Sequence, residues 1–250
     1  MSTTQMFHFM LFFSVLSSVH FVIRGYDSTE SLSLLRIKSS LVDPVGILNN
    51  WSPKANICSW NGLACSDDQT HVVVLNLSGS GLSGLLSSEF SLLTSLQALD
   101  LSKNFLTGSI PPDFGHLQNL KELLLYSNSL SGNIPPEIGL LKKLQVLRIG
   151  DNLLTGQVPP HIANLTELRV LGISYCQLNG SIPVEIGSLK QLRSLDLQKN
   201  RFRGVIPHAI SGCTEIQNFA VSNNMLEGEI PIFIGNLTKL QILNLANNSL

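Results

Sequence analysis

The chain has 250 residues, a formal net charge of -1, 13% charged and 44% hydrophobic residues. A near-neutral balance argues against a nucleic-acid partner, which wants a basic face, and a chain this long buries a large core. Aromatic residues are only 6% and leucine is over-used, which predicts a core of many small equivalent units.

Residues 1–25 stand apart. Met6 to Ile23 is apolar except for scattered Ser and His, which reads as a secretory signal peptide, with a buried helix as the alternative. The stretch before it lacks Lys and Arg, and cleavage after Ser18 or Gly25 fits the sequence. No other run of 18 apolar residues exists, so nothing further along reads as a membrane span. Six N-x-[ST] sequons, at Asn50, Asn76, Asn164, Asn179, Asn236 and Asn247, agree with export.

Residues 26–71 read as an N-terminal cap. Asp27-Ser-Thr-Glu30 fits a capping box opening a helix through Leu34, Leu35, Ile37 and Leu41. Asp43-Pro44-Val45-Gly46 stops it. Leu48, Trp51 and Cys58-Ser-Trp60-Asn-Gly62-Leu-Ala-Cys65 follow. In an exported chain Cys58 and Cys65 read as a disulfide, with a metal pair as the alternative.

Residues 72–250 repeat. Ser80, Asn104, Asn128, Asn152, Cys176, Asn200, Asn224 and Asn248 recur at one constant step of twenty-four positions. Around them runs L-x-x-L-x-L-x-x-N-x-L-x-G-x-I-P, for example Leu96, Leu99, Leu101, Asn104, Leu106, Gly108, Ile110 and Pro111. The L-x-L pair alternates with period two, so it predicts a short strand with its leucines inward. One such strand per repeat stacks into a parallel sheet along one face of a solenoid. The asparagine amide is expected to satisfy backbone groups of adjacent coils. Gly allows the turn and Pro fixes φ on the return. The expected fold is a right-handed α/β solenoid of about eight leucine-rich repeats, its parallel sheet on the concave face, closed by the cap. The eighth repeat stops at Leu250 in mid-pattern, which reads as a fragment or truncated product with an open hydrophobic edge. Cys176 and Cys213 read as free, mostly buried thiols.

The helix, the L-x-x-W, the C-x-W-x-G-x-x-C cap and the L-x-G-x-I-P repeats resemble those of plant leucine-rich-repeat receptor kinases and receptor-like proteins, over roughly Asp27 to Leu250. Leu147-Arg-Ile-Gly-Asp-Asn152, Ser174-Tyr-Cys-Gln-Leu178, Asn223-Asn-Met-Leu226 and Leu243-Asn-Leu-Ala-Asn-Asn-Ser-Leu250 are similar to the GASSHO receptor kinases.

Catalysis has no candidate. Gly79-Ser-Gly81-Leu-Ser-Gly84 spells G-x-G-x-x-G, but Leu82 and Gly84 are the repeat's own Leu and Gly, and no long helix follows. His116, His161 and His208 fall on the far side of the coil from the strands, and no histidine has metal spacing. No cofactor or metal is expected. Binding does have a candidate. Strand residues pointing away from the core form columns across the concave sheet, one reading Asn76, Asp100, Leu124, Arg148, Gly172, Asp196, Ala220, Asn244. Leu124, Tyr126, Val146, Val170 and Tyr175 form an outward apolar patch around Arg148, with Asp151 and Asp196 nearby. The alternative is that some of these pack only on sheet neighbours. Lys121, Arg169 and Arg193 add a basic rim. Sugars on Asn76 and Asn247 would obstruct the ends of the columns and favour the middle.

The resemblance implies a secreted peptide ligand, tyrosine-sulfated for the GASSHO type, and a sulfate suits arginine donors. Arg148 is the first expectation, then Arg169 and Arg193. It also implies a co-receptor of the somatic-embryogenesis receptor kinase type. A membrane helix and a serine/threonine kinase would then lie outside this chain, at the extracellular face of the plasma membrane. The alternatives are a soluble cell-wall inhibitor of pathogen polygalacturonase and a kinase-less receptor-like protein in defence.

Overall fold

The computed structural model describes residues 29–250; the expected signal peptide and the first half of the expected capping box lie outside the described residues. The helix α1, Thr29–Ser40, buries Leu34 and Ile37. It ends one residue short of the expected Leu41. Leu41–Val42 instead pairs antiparallel with Ser83–Leu85. Asp43 then turns the chain, accepting from Gly46 N and Ile47 N on Oδ1 and from Leu48 N on Oδ2. Trp51 and Trp60 stack with ring centroids 5.5 Å apart, and Trp51 Nε1 donates to Asn61 O. Cys58 and Cys65 are joined as a disulfide. Glu30 ties helix to solenoid, its Oε2 accepting from Val72 N and its Oε1 lying 3.3 Å from His71 Nδ1.

From Val72–Asn76 onward, one three- to five-residue strand per coil supplies eight strands of a nine-stranded sheet. Its parallel register keeps the step of the sequence repeat throughout: Leu75↔Leu99, Leu99↔Leu123, Leu123↔Leu147, Leu147↔Leu171 and Leu171↔Leu195. The cap strand Leu63–Cys65 closes the sheet's first edge, antiparallel. A second, eight-stranded sheet runs beside it through Phe105–Gly108, Ser129–Asn133, Leu153–Gly156 and their successors. The sequence pattern does not announce that sheet, because each of its strands points one side chain inward and L-x-G reads as a turn. Each coil returns through a five-residue 3-10 helix, opened by Ser87 in the first and by an extended proline in the others, as at Pro111, Pro135 and Pro159. Five residues are too few for α-helix nucleation, and the proline ring sets the entry angle. Phe114, Ile138, Ile162, Ile186 and Ile210 point inward from these turns.

The asparagines sit where the sheet strand gives way to the second strand. Asn152 is buried, donates from Nδ2 to Leu125 O, Ile149 O and Gly150 O at 2.9–3.1 Å, and accepts from Leu130 N on Oδ1. Asn128, Asn200, Asn224 and Asn248 repeat the same bonds. Asn104 also accepts from Ser80 N. Cys176 makes weak Sγ contacts instead, among them Ser174 O at 3.7 Å and Ile149 O at 4.0 Å. Burial pushes its thiol above the ordinary pKa, and pushes that of Cys213 up to about 11. The residue before each of these positions from Asn104 onward has positive φ, including Asp151 at 51° and Tyr175 at 55°.

Two measurements test these accounts. Asn152→Ala strips the Leu130 N–H of its acceptor and removes one bond from each of three carbonyls, so its chemical-denaturation stability falls by about 2 kcal/mol, whereas Cys176→Asn supplies amide bonds that the thiol lacks and raises it by about 1 kcal/mol. Cys58→Ser opens a short loop with a sequence separation of 7 and lowers stability by about 2.5 kcal/mol on the chain-entropy estimate.

Candidate functional site

The strict register brings the outward columns into the expected rows. Leu124 lies beside Arg148, and Arg148 beside Gly172, then Asp196 and Ala220. Val146 lies beside Val170, and Val170 beside Ser194. Because Gly172 has no side chain, the sheet opens there into a depression of about 240 Å³. Tyr126 stands at one end and Asn218 at the other, with Arg148, Asp151, Val170 and Asp196 between them. A Cβ on Gly172 would meet Arg148 Cγ at 3.4 Å, so the arginine's aliphatic stem leans over the glycine. Gly150, also in the floor, is forced by backbone: a Cβ there would lie 2.5 Å from Ser174 O.

Five of the ten expected residues therefore line the depression: Tyr126, Arg148, Asp151, Val170 and Asp196. Leu124 and Val146 flank it in the adjoining rows, both half-buried. Tyr175 projects at the strand-exit side, 49% exposed, with Lys199 Nζ 4.5 Å from its ring centroid. Arg169 and Arg193 are exposed at the strand-entry rim, their backbones bonded to the neighbouring coils, outside the depression.

The polar groups divide into two kinds. On one side a network satisfies itself. Ser174 Oγ donates to Asp196 Oδ2 at 3.0 Å, and Gln198 Nε2 donates to Asp196 Oδ1 at 3.0 Å. Gln198 Oε1 accepts in turn from Ser222 Oγ and Asn244 Nδ2. Asp151 Oδ2 accepts from Ser127 Oγ at 2.7 Å. On the other side stands Arg148, exposed, with no hydrogen-bond or ion-pair partner for its guanidinium among the described residues. Asn218 is the residue that sequence reasoning misses as a site member. Its Nδ2 donates to Ser194 Oγ at 3.2 Å, while its Oδ1 is buried without a partner. The columns reach its position, but nothing in the sequence marks an orphaned acceptor.

The sequons separate by their amides. Asn164, Asn179 and Asn236 are exposed. Asn50 Nδ2 donates to both Ser59 O and Asn61 Oδ1, and Asn247 Nδ2 donates to Asn223 Oδ1. His116, His161 and His208 are all exposed in the 3-10 returns. Among the described residues no helix is long and apolar enough to cross a membrane.

Residues 27–66 match the leucine rich repeat N-terminal domain, and residues 95–117, 119–141, 143–165, 167–189 and 191–213 each match the Leucine Rich Repeat model. A probable receptor-like serine/threonine-protein kinase of Arabidopsis thaliana is 36% identical over 75 residues, 29% of this chain and 11% of that protein. The GASSHO1/SCHENGEN3 ectodomain of Arabidopsis thaliana, solved with CASPARIAN STRIP INTEGRITY FACTOR 2, is 42% identical with a TM-score of 0.83. That match covers 86% of this chain and 26% of the other. The Arabidopsis receptor kinase HAESA, solved with the peptide hormone IDA and the co-receptor SERK1, is 29% identical with a TM-score of 0.70, covering 89% and 42%. The matched stretches are thus a minor part of these longer proteins.

Proposed function

This chain belongs to the leucine-rich-repeat family, with relatives among plant receptor kinases, and we propose that it binds a secreted peptide on its concave sheet as part of a receptor ectodomain. The observation that carries the reading is the depression at Gly172 with Arg148 unpaired at its edge. Neither feature serves the coil: the core is filled by the leucines beneath, and the backbone ladder is complete without them. An exposed guanidinium lining the same depression as half-buried Tyr126 and Val170 suits an anionic group carried on an apolar or aromatic body. A sulfated tyrosine has that character, so the ligand class is a tyrosine-sulfated peptide. Arg169 and Arg193 extend the positive rim towards the same ligand. Leu124, Val146 and Tyr175 add flanking contact.

In this reading the bound peptide recruits a co-receptor kinase of the somatic-embryogenesis receptor kinase type at the extracellular face of the plasma membrane. The signal passes through a membrane helix and kinase elsewhere in the receptor. The described residues contribute recognition, and the two solved peptide complexes above give the reading its precedent.

Titration calorimetry of the secreted chain with synthetic CASPARIAN STRIP INTEGRITY FACTOR 2, sulfated and unsulfated, checks this. The sulfated form binds about tenfold more tightly, and Arg148→Ala removes most of that difference, a loss of about 1 kcal/mol. Equal affinity of the two forms, with Arg148→Ala silent, rejects the sulfated ligand class. The sequons give an independent check by peptide mass spectrometry of the chain secreted from plant cells. Asn164, Asn179 and Asn236 carry glycans, and Asn50, whose two amide hydrogens are both engaged, does not.

A further inference from the structure

The backbone of any peptide bound here meets a first constraint. Along the concave sheet each coil gives its N–H groups to the next: Ile149 N donates to Gly172 O at 2.9 Å, and Ile173 N to Asp196 O at 3.0 Å. Around the depression every strand is paired on both sides, so a ligand there gains nothing by adding itself as a strand. It is held by side chains, and its own backbone stays in water. Polyproline II is the conformation that keeps backbone groups solvated, with three residues per turn and a rise of about 3.1 Å.

The charges set a second constraint. Arg148, Gly172 and Asp196 are successive members of one column, so the two charged positions are two rungs apart, roughly 9.6 Å at a strand spacing of about 4.8 Å. Neither is in an ion pair among the described residues. The Asp196 carboxylate accepts only from uncharged donors, Ser174 Oγ, Gln198 N and Gln198 Nε2. Gly172 puts no side chain of its own between them, and the Arg148 stem leans into that space. Asn218, with its unpartnered Oδ1, adjoins the Asp196 end and becomes a second acceptor there if its amide turns. Two opposite charges thus flank a glycine: Arg148 has no partner, and Asp196 is hydrogen-bonded to Ser174 and Gln198 but paired with no cation among the described residues.

We propose that the stretch from Arg148 across Gly172 to Asp196 is a bipolar subsite selecting a peptide with an acidic and a basic residue three positions apart in polyproline II conformation. The acidic side chain sits on Arg148 and the basic one on Asp196. Residues three apart in that helix share a face at about 9.3 Å, close to the separation of the two charged positions. In a β-strand they point to opposite faces. The inference rests on the concave-face peptide reading and adds to it the charge pattern and spacing of the ligand.

A randomised linear peptide library displayed against the secreted full chain tests it, with Gly172→Trp, which fills the depression, as the site control. The expected outcome is enrichment of an acid and a base three residues apart, in peptides that no longer bind Gly172→Trp. Arg148→Glu and Asp196→Lys each weaken those peptides about tenfold or more, as loss of an opposed charge predicts. The double variant Arg148→Glu/Asp196→Lys recovers binding to peptides with the two charges exchanged, a rescue that a misfolded protein cannot give. Peptides that depend on the depression but show no acid–base spacing overturn the subsite and leave the concave reading intact. A library in which no binder is lost on Gly172→Trp overturns both.

Discussion

Where each sheet strand ends and the chain turns towards the second sheet, the carbonyls of the last residues gather around a buried asparagine. In Asn152's coil these are Ile149 O and Gly150 O, together with Leu125 O of the coil before. Buried carbonyls without partners cost enough to unmake so small a unit. One side-chain amide, with two donor hydrogens and an acceptor oxygen, bonds to all three, two of them shared with Asn128 Nδ2 and Ser127 N, and takes the Leu130 N–H besides. This bond set fixes the length of the coil. It joins each coil to its predecessor, and its repetition holds the parallel sheet in constant register.

Constant register is what turns a sequence into a surface. Because every strand is aligned with its neighbour at the same residue, a substitution at one outward position changes one cell of a grid and leaves the leucines beneath untouched. Arg148, Gly172 and Asp196 are three such cells. The grid also explains why the two halves of the groove differ. Towards Asn244 the outward residues are short amides and hydroxyls whose donors and acceptors reach one another, so they close into a network. Around Arg148 the neighbours are Leu124 and a glycine, which offer a guanidinium nothing.

Much of this is legible in the residues alone. The constant step from Asn104 to Asn128 to Asn152 implies the sheet, its register and the columns, because inward leucines at period two admit only one alignment. The cap's disulfide follows from its setting, with the metal alternative set aside by the bonded pair. The second sheet is not legible. Its strands carry a single inward residue, and its pairing, as in Ser83↔Phe105, falls short of the repeat step, so no alternation announces it. Leu41 leaving the helix for an edge strand is hidden by its fit to the helical pattern. Within the groove, positions are readable but hydrogen-bond closure is not. That Asp196 is tied to Ser174 and Gln198 while Asn218 Oδ1 is left over depends on rotamers the sequence does not express.

The amide that reaches back one coil has a consequence for how such a molecule can change length. Each coil hands its neighbour the same set of donors and acceptors that it receives. Removing or duplicating a whole coil therefore leaves every partner in place, whereas a change of a few residues strands an amide opposite the wrong carbonyls. The distance between the cap and any outward residue can be edited only in quanta of one strand spacing, about 4.8 Å. A family built this way explores new ligand surfaces by splicing whole coils, as a ruler is lengthened by adding marks rather than by stretching.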